Sequence, residues 1–249
     1  MKSVQFNDEL NIIHQTDDLT IIHRAAAQMD AQLILSFSGV CHKFDGMGAM
    51  EFAKSLANFG MDGEILFISE LARTWYSNVA DRIVDFVQSR YPGRRIITLG
   101  NSMGGSGALL LSRLLPGCEV AVSFVPQYSV SPCLMPDETR WREHSQTVQN
   151  WAYEMSVPDQ GHRRARQLLF FGADESRDMP HAERLSGALN PDSTIFIVDG
   201  CGHNVASFLK NKGLLPGLLG CCFNMDKDAD CVGRYLAEAG VGYRLFPSG

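Results

Sequence analysis

The sequence predicts an α/β protein built on a mostly parallel sheet, with an antiparallel edge made by its first strands. Short apolar runs recur along the chain and alternate with stretches of helical period, the pattern that strand–helix–strand crossovers produce. Several of these runs are almost continuously apolar, as strands buried on both faces are. The first two strands follow each other with no helix between them, and a short connection leaves neighbouring strands antiparallel.

Each element has its own signal. Ile12-Ile13 and residues 20–23 flank the turn-like Asp17-Asp18 and read as the edge pair. Residues 33–37 (LILSF) form a buried strand. Ala49, Phe52, Ala53, Leu56 and Phe59 then recur at offsets of three and four, giving one apolar helical face with Gly60 as a stop. Residues 64–68 return to strand. Asn78, with Asp81 three residues on, opens a helix whose apolar face is Val79, Ile83, Phe86 and Val87, ending before Pro92-Gly93. Residues 95–99 are a strand, residues 103–115 a helix rich in Ala and Leu, and residues 120–124, 168–171 and 194–198 three more strands. Only the stretch from about 126 to 167 breaks the rhythm: it carries Trp141, Trp151 and many charges, and a long insert between sheet strands is often a lid or binding loop.

Composition limits the function classes. A chain of 249 residues, 45% hydrophobic and 20% charged, is expected to be one domain with a sizeable core, 1–249, carrying the insert as a lid or cap. Its 28 acidic residues outnumber the 22 basic ones, and a net charge of -6 argues against a surface that neutralises nucleic-acid phosphates or anionic lipid. The N-terminal residues lack a basic stretch followed by an apolar run, and no window nears ~18 consecutive apolar residues, so neither a signal peptide nor a membrane span is expected. Seven cysteines at irregular spacing fit reduced thiols in a cytoplasmic protein better than a disulfide framework, and no zinc-ligand spacing occurs. The expectation is a cytoplasmic protein with no cofactor and no metal.

The chemistry is carried by two turns. Residues 95–99 run into Gly100-Asn101-Ser102-Met103-Gly104, and a helix of small residues follows at once. A Gly-x-Ser-x-Gly turn between strand and helix is sharp and strained, which leaves the Ser102 hydroxyl exposed at the sheet edge. The helix aims its first amides at the same point, where an oxyanion would develop. A phosphate-binding loop is excluded, because no Lys-Ser/Thr follows the glycines and Gly-x-Gly-x-x-Gly is absent from the turn. An alcohol needs a base. His203, on the loop Asp199-Gly200-Cys201-Gly202-His203-Asn204 after the strand 194–198, is placed where open α/β sheets carry catalytic groups. The acid that orients the imidazole should follow the strand between these two. Asp174 stands nearest that strand's end, with Glu175 and Asp178 as alternatives. Cys201, beside the candidate base, is a thiol of interest.

With Ser102, an acid near 174 and His203 in that order, the chain resembles the α/β-hydrolase superfamily from about Leu33 to Leu214. The resemblance implies an eight-stranded, mostly parallel sheet with helices on both faces. It also implies an oxyanion hole from the amides of Met103 and Val40, the latter in the Ser38-Gly39-Val40 turn. Two departures stand out: that turn replaces a His-Gly motif, and Asp174 lies two residues after Gly172 where three is usual. The implied activity is a serine esterase or thioesterase acting on a small-molecule acyl substrate through an acyl-enzyme. Proximity to the predicted loops, not the resemblance, suggests His42, Tyr128, Trp141 and Trp151 as residues lining its pocket. A non-catalytic interaction protein on the same fold and a biosynthetic acyltransferase are the competing readings.

Overall fold

The computed structural model describes residues 10–26, 32–40, 43–44, 47–48, 50–58, 63–159, 161–162, 165–224 and 229–247. The chain opens with strands β1 (Leu10–Gln15), β2 (Leu19–Arg24) and β3 (Gln32–Phe37). Two short strands, β4 (Lys43–Phe44) and β5 (Met47–Gly48), pair only with each other. Then come α1 (Ala53–Asn58), β6 (Glu64–Glu70), α2 (Ala80–Arg90), β7 (Arg95–Asn101) and α3 (Met103–Leu114). β8 (Cys118–Phe124) leads into the insert, which carries α4 (Arg142–Ser145), and β9 (Arg166–Gly172) leaves it. α5 (Met179–Ser186), β10 (Thr194–Val198), α6 (Val205–Asn211), α7 (Leu215–Phe223), α8 (Ala229–Glu238) and β11 (Tyr243–Leu245) complete the order.

Among the described residues, nine strands form one sheet in the order β1-β2-β6-β3-β7-β8-β9-β10-β11. The six from β6 to β10 in that order are mutually parallel, while β1, β2 and β11 run antiparallel to their neighbours. This is the mostly parallel sheet that the sequence predicts, with one strand more than eight. The addition is β11, a three-residue strand on β10 whose register runs from Phe196 opposite Leu245 to Val198 opposite Tyr243. The chain leaves β3 towards β6 and leaves β7 towards β8, so the strand order reverses between β3 and β7. Ligands of open α/β sheets bind at the carboxyl ends of the strands flanking such a reversal.

Period-two alternation divides the strand residues between two cores. Leu33, Leu35, Phe37, Leu66 and Ile68 pack with Ile83 and Val87 of α2 and with Met103, Leu110 and Leu111 of α3. Ile34, Ile65, Phe67, Ile97 and Leu99 belong to the other core, with Leu56 of α1, Leu209 of α6, Leu218 of α7 and Leu236 of α8. The sheet is therefore covered on both faces, which removes its apolar residues from water. In the second core, Phe124, Phe170 and Phe196 stand opposite one another in register on β8, β9 and β10. Their rings stack at 5.0 and 5.1 Å between centroids.

Two expectations shift. The helix expected across 49–59 starts only at Ala53, because Phe52 has φ of 65°, a left-handed conformation that a helix cannot include. Ala49, Phe59 and Gly60 lie outside the described residues. The insert contains no strand among its described residues and is tied down along its length. Asn78 donates to the Asn150 carbonyl at 3.0 Å and accepts from the Ala152 amide at 3.0 Å, and the Tyr153 amide donates to Ser77 Oγ at 2.8 Å. Among the described residues, no helix is long and apolar enough to cross a membrane.

Phe170 is the middle ring of the stack, so Phe170→Ala leaves a cavity between two neighbours that cannot close on it. The expected loss is about 3–5 kcal/mol of unfolding free energy, read by urea denaturation with an unchanged m-value.

Candidate active site

β7 delivers the chain to the sheet's reversal point, and three close approaches force the turn there. A Cβ on Gly100 would lie 2.0 Å from the Gly104 carbonyl oxygen, and one on Gly104 would lie 2.2 Å from that of Phe37. At Gly107, one helical turn on, it would strike the Tyr76 ring at 2.4 Å. Only glycine lets α3 start this near the end of β3. Between the first two, Ser102 adopts φ 54° and ψ −121°, strained backbone for a residue with a side chain. Its amide donates to the Phe124 carbonyl at 2.8 Å, and its carbonyl accepts from the Ser106 amide at 3.0 Å. The Met103 amide begins the helix and has no intrahelical acceptor.

His203 lies across from this turn. Its Nε2 is 3.0 Å from Ser102 Oγ, and its Nδ1 is 2.8 Å from Asp178 Oδ2. A carboxylate only accepts, so Nδ1 carries the proton and Nε2 presents its lone pair to the serine hydroxyl. The residue against the imidazole is Asp178, one of the alternatives, and not Asp174. The reason is local. The backbone at Gly172 runs so close to Gly202 that a Cβ would meet its carbonyl oxygen at 2.1 Å, and the Asp174 amide donates to the Cys201 carbonyl at 3.0 Å. These contacts hold the start of the loop against the histidine loop and leave Asp174 exposed. A 3₁₀ turn, Ser176–Asp178, then brings the chain back and places Asp178, 1% exposed, immediately before α5. Glu175 faces out and pairs with Arg177, whose hydrogen bond lowers its carboxyl to about 2.

Several contributors carry no recognisable sequence motif. Gln127, just after β8, is buried and points its Nε2 at the Val125 carbonyl (3.0 Å) and Ser102 Oγ (3.4 Å). Trp75 Nε1 donates to Gln127 Oε1 at 2.8 Å and so fixes which way the amide faces. Trp75 is itself held by the segment after β6, where the buried Glu70 carboxylate accepts from the Thr74 and Tyr76 amides. Trp141 of the insert packs on Trp75 with centroids 6.0 Å apart and on the His203 ring at 6.2 Å. The two tryptophans thus flank His203 and Gln127, the two side chains that reach Ser102 Oγ, and Ser102 is 7% exposed. Tyr128 and Trp151 line a void of only about 10 Å³ behind Gln127, and His42 lies outside the described residues.

The insert also reaches the acid. Arg140 Nη1 donates to Asp178 Oδ1 at 2.7 Å, and its Nε donates to both oxygens of Glu138 at 3.1 Å. His181 Nε2 meets Glu138 Oε2 at 2.9 Å, while its Nδ1 accepts from the Tyr128 amide at 3.2 Å. Burial alone would raise the Glu138 carboxyl, but hydrogen bonds from His181 and Arg140 overcome it and hold it at about 2. Against the pull of burial, the same carboxylates keep the Arg140 guanidinium charged.

On the other side of Ser102, the turn after β3 is pinned by the Ser38 amide on the Ile68 carbonyl (3.0 Å) and by Tyr76 Oη donating to the Ser38 carbonyl (2.8 Å). The Gly39 amide donates to the Glu51 carboxylate. These bonds hold Gly39 next to the Ser102 turn, where a Cβ would lie 3.3 Å from the Asn101 carbonyl oxygen, and Val40 follows it in the chain. A cavity of about 420 Å³ opens here, lined in part by Met50, Glu51, Phe52, Asn101 and Ala206. Cavities of about 780 Å³ lie elsewhere, one of them at the amino ends of β7 and β8 around Arg94 and Glu119. Burial raises the Glu51 carboxyl to about 7 against the opposing Gly39 bond, and its Oε2 has no hydrogen-bond donor among the described residues. Burial first, then the Asp174 and Asp199 charges, push the Cys201 thiol up to about 11, which disfavours its thiolate. Among the described residues, no group of three or more His, Cys, Asp or Glu side chains could hold a metal ion.

The native esterase 2 of Thermogutta terrifontis superposes with a TM-score of 0.59 at 15% identity, over 94% of this chain and 93% of that one. The S-formylglutathione hydrolase of Agrobacterium tumefaciens gives 0.54 at 15% identity, over 88% and 95%. The chain has the α/β-hydrolase fold. The capsule O-acetyltransferase of Neisseria meningitidis serogroup A also shares it, with a TM-score of 0.56 at 14% identity over 81% of this chain and 93% of that one. No protein-family profile and no curated protein sequence matches the chain.

Glu51 makes a pH prediction. Its folded value of about 7 lies above the ordinary 4.5, so the folded state binds the extra proton. Its contribution to stability is complete below pH ~4.5 and is lost as pH rises through ~7. Glu51→Gln, which cannot ionise, should raise Tm at pH 8 relative to the native chain and leave it nearly unchanged at pH 4.5, as read by differential scanning calorimetry.

Proposed function

We propose that the chain is a serine hydrolase of carboxylic esters or thioesters, working through an acyl-enzyme on Ser102. One observation carries the reading: the unbroken line from Ser102 Oγ to His203 Nε2 (3.0 Å) and from His203 Nδ1 to Asp178 Oδ2 (2.8 Å). In the first half-reaction Ser102 Oγ attacks the carbonyl carbon while its proton passes to His203 Nε2. The imidazolium faces Asp178, and the oxyanion lies against the Met103 amide at the start of α3, with the Val40 amide as second donor. His203 then protonates the leaving alcohol or thiol. Water attacks the acyl-serine with His203 as base, and the acid departs, restoring Ser102.

The supporting features are physical. Asp178 is buried and charge-paired, so it fixes the imidazole tautomer instead of facing solvent. The cavity beside Glu51 and Asn101 gives room for a small-molecule acyl or alcohol group. Acyl transfer to an alcohol or thiol is the second reading, and the low exposure of Ser102, at 7%, favours it by restricting water. The ratio of transfer product to free acid, measured with added acceptor, separates the two. The insert at about 126–167 acts in either case as a fixed cover on a single domain.

The expected result is turnover of short-chain p-nitrophenyl esters. Ser102→Ala should abolish it, and Asp178→Asn should lower kcat on the order of 10⁴-fold by imposing the wrong tautomer. Asp174→Asn should stay within about twofold, since that side chain is outside the line; full activity in Ser102→Ala would end the proposal.

A further inference from the structure

Arg140 and Glu138 belong to the insert, not to the strand ends that carry the triad, yet they form a buried cluster behind it. Asp178 Oδ2 is occupied by His203, and Oδ1 by the Arg140 guanidinium at 2.7 Å. The two contacts use different oxygens, so the carboxylate cannot rotate without losing one. Arg140 in turn cannot swing away, because its Nε and backbone amide are both bound to Glu138, at 3.1 and 2.8 Å. Glu138 is held from its far side by His181, which is anchored by the Tyr128 amide. All four side chains are nearly out of solvent, at 2% exposure for Glu138, 11% for Arg140, 1% for Asp178 and 1% for His181. Water therefore neither screens these contacts nor replaces them.

The cluster also has a charge balance suited to proton transfer. His181 accepts a backbone N–H at Nδ1, so it is neutral and donates through Nε2. Glu138 and Asp178 contribute two negative charges and Arg140 one positive, which leaves one uncompensated negative charge beside neutral His203. When His203 takes the Ser102 proton, the new positive charge balances it.

We propose that Arg140 is a positioning residue for the nucleophilic reaction: clamped by Glu138, it fixes the rotamer of Asp178 and so joins the insert to the catalytic line. This rests on the serine-hydrolase reading above. It assigns the insert a task beyond covering the site, because without Arg140 the acid keeps its place in the chain and loses its orientation.

The test compares Arg140→Met, Arg140→Lys and Glu138→Gln in the full chain. Arg140→Met should lower kcat for a p-nitrophenyl ester about 10- to 100-fold, as misplaced catalytic groups do, with KM within about twofold. The Lys variant, which restores the charge without the fork, should recover part of kcat. Proton NMR gives a readout independent of turnover: the far-downfield Nδ1–H resonance of a His203–Asp178 hydrogen bond should be present in the native chain and absent in Arg140→Met. Should Arg140→Met not fold, Glu138→Gln, which frees the guanidinium while keeping its charge, should lower kcat several-fold at constant KM. Native kcat together with a retained downfield resonance in Arg140→Met, or native kcat in Glu138→Gln if only that variant folds, would overturn the assignment. Absence of ester turnover in the native chain would instead count against the hydrolase reading, and the resonance would still decide the role of Arg140.

Discussion

Gly104 passes so close to the Phe37 carbonyl that a single added carbon would lie 2.2 Å from it, and the rest of the site depends on that contact. It lets α3 begin directly above the end of β3, so the helix N-terminus and the turn after β3 face one point. Gly100, packed on Gly104 in the same way, completes the turn. Ser102 is left no relaxed conformation, and its left-handed backbone costs on the order of 1–3 kcal/mol. That strain is offset by a central strand buried on both faces and a helix whose first eleven residues are all buried.

The two sides of Ser102 are built differently. On the β3 side, uncharged groups of the turn and Tyr76 do most of the fixing: the Ser38 amide bonds β6, the Tyr76 hydroxyl bonds the Ser38 carbonyl, and the Gly39 amide bonds Glu51. On the β9 side, charge does it, through Asp178, Arg140 and Glu138. A buried ion cluster is a poor source of stability, since desolvating its members offsets much of their attraction. Its value is directional, because a fork of fixed donors tolerates one arrangement of carboxylates. The insert, tied through residues 150–153 to Ser77 and Asn78 and through Arg140 to Asp178, connects the two sides of the site.

The strands, and the placing of Ser102 and His203 at strand ends, were legible because each has a local pattern. Buried parallel strands are continuous apolar runs, and Ser102 sits in a turn whose glycines are required by backbone contact. His203 follows a strand end and is flanked by glycine. Asp178 was harder to single out. Proximity to the strand favoured Asp174, but the backbone pairing of Asp174 with Cys201 turns that side chain outward, and no residue type in the loop records that pairing. Arg140, Glu138, His181 and Gln127 lie in or beyond a segment without periodicity, and only tertiary packing brings them to the site. The late start of α1 at Ala53 and the three-residue β11 escape detection for a similar reason, a single left-handed residue in one case and too short a pattern in the other.

The central claim is an activated Ser102, and fluorophosphonate labelling of the folded chain followed by peptide mapping measures it directly. One adduct per chain, on the peptide containing Ser102 and missing after prior unfolding, is the predicted result. No adduct on the folded chain, or an adduct at another residue, would contradict it.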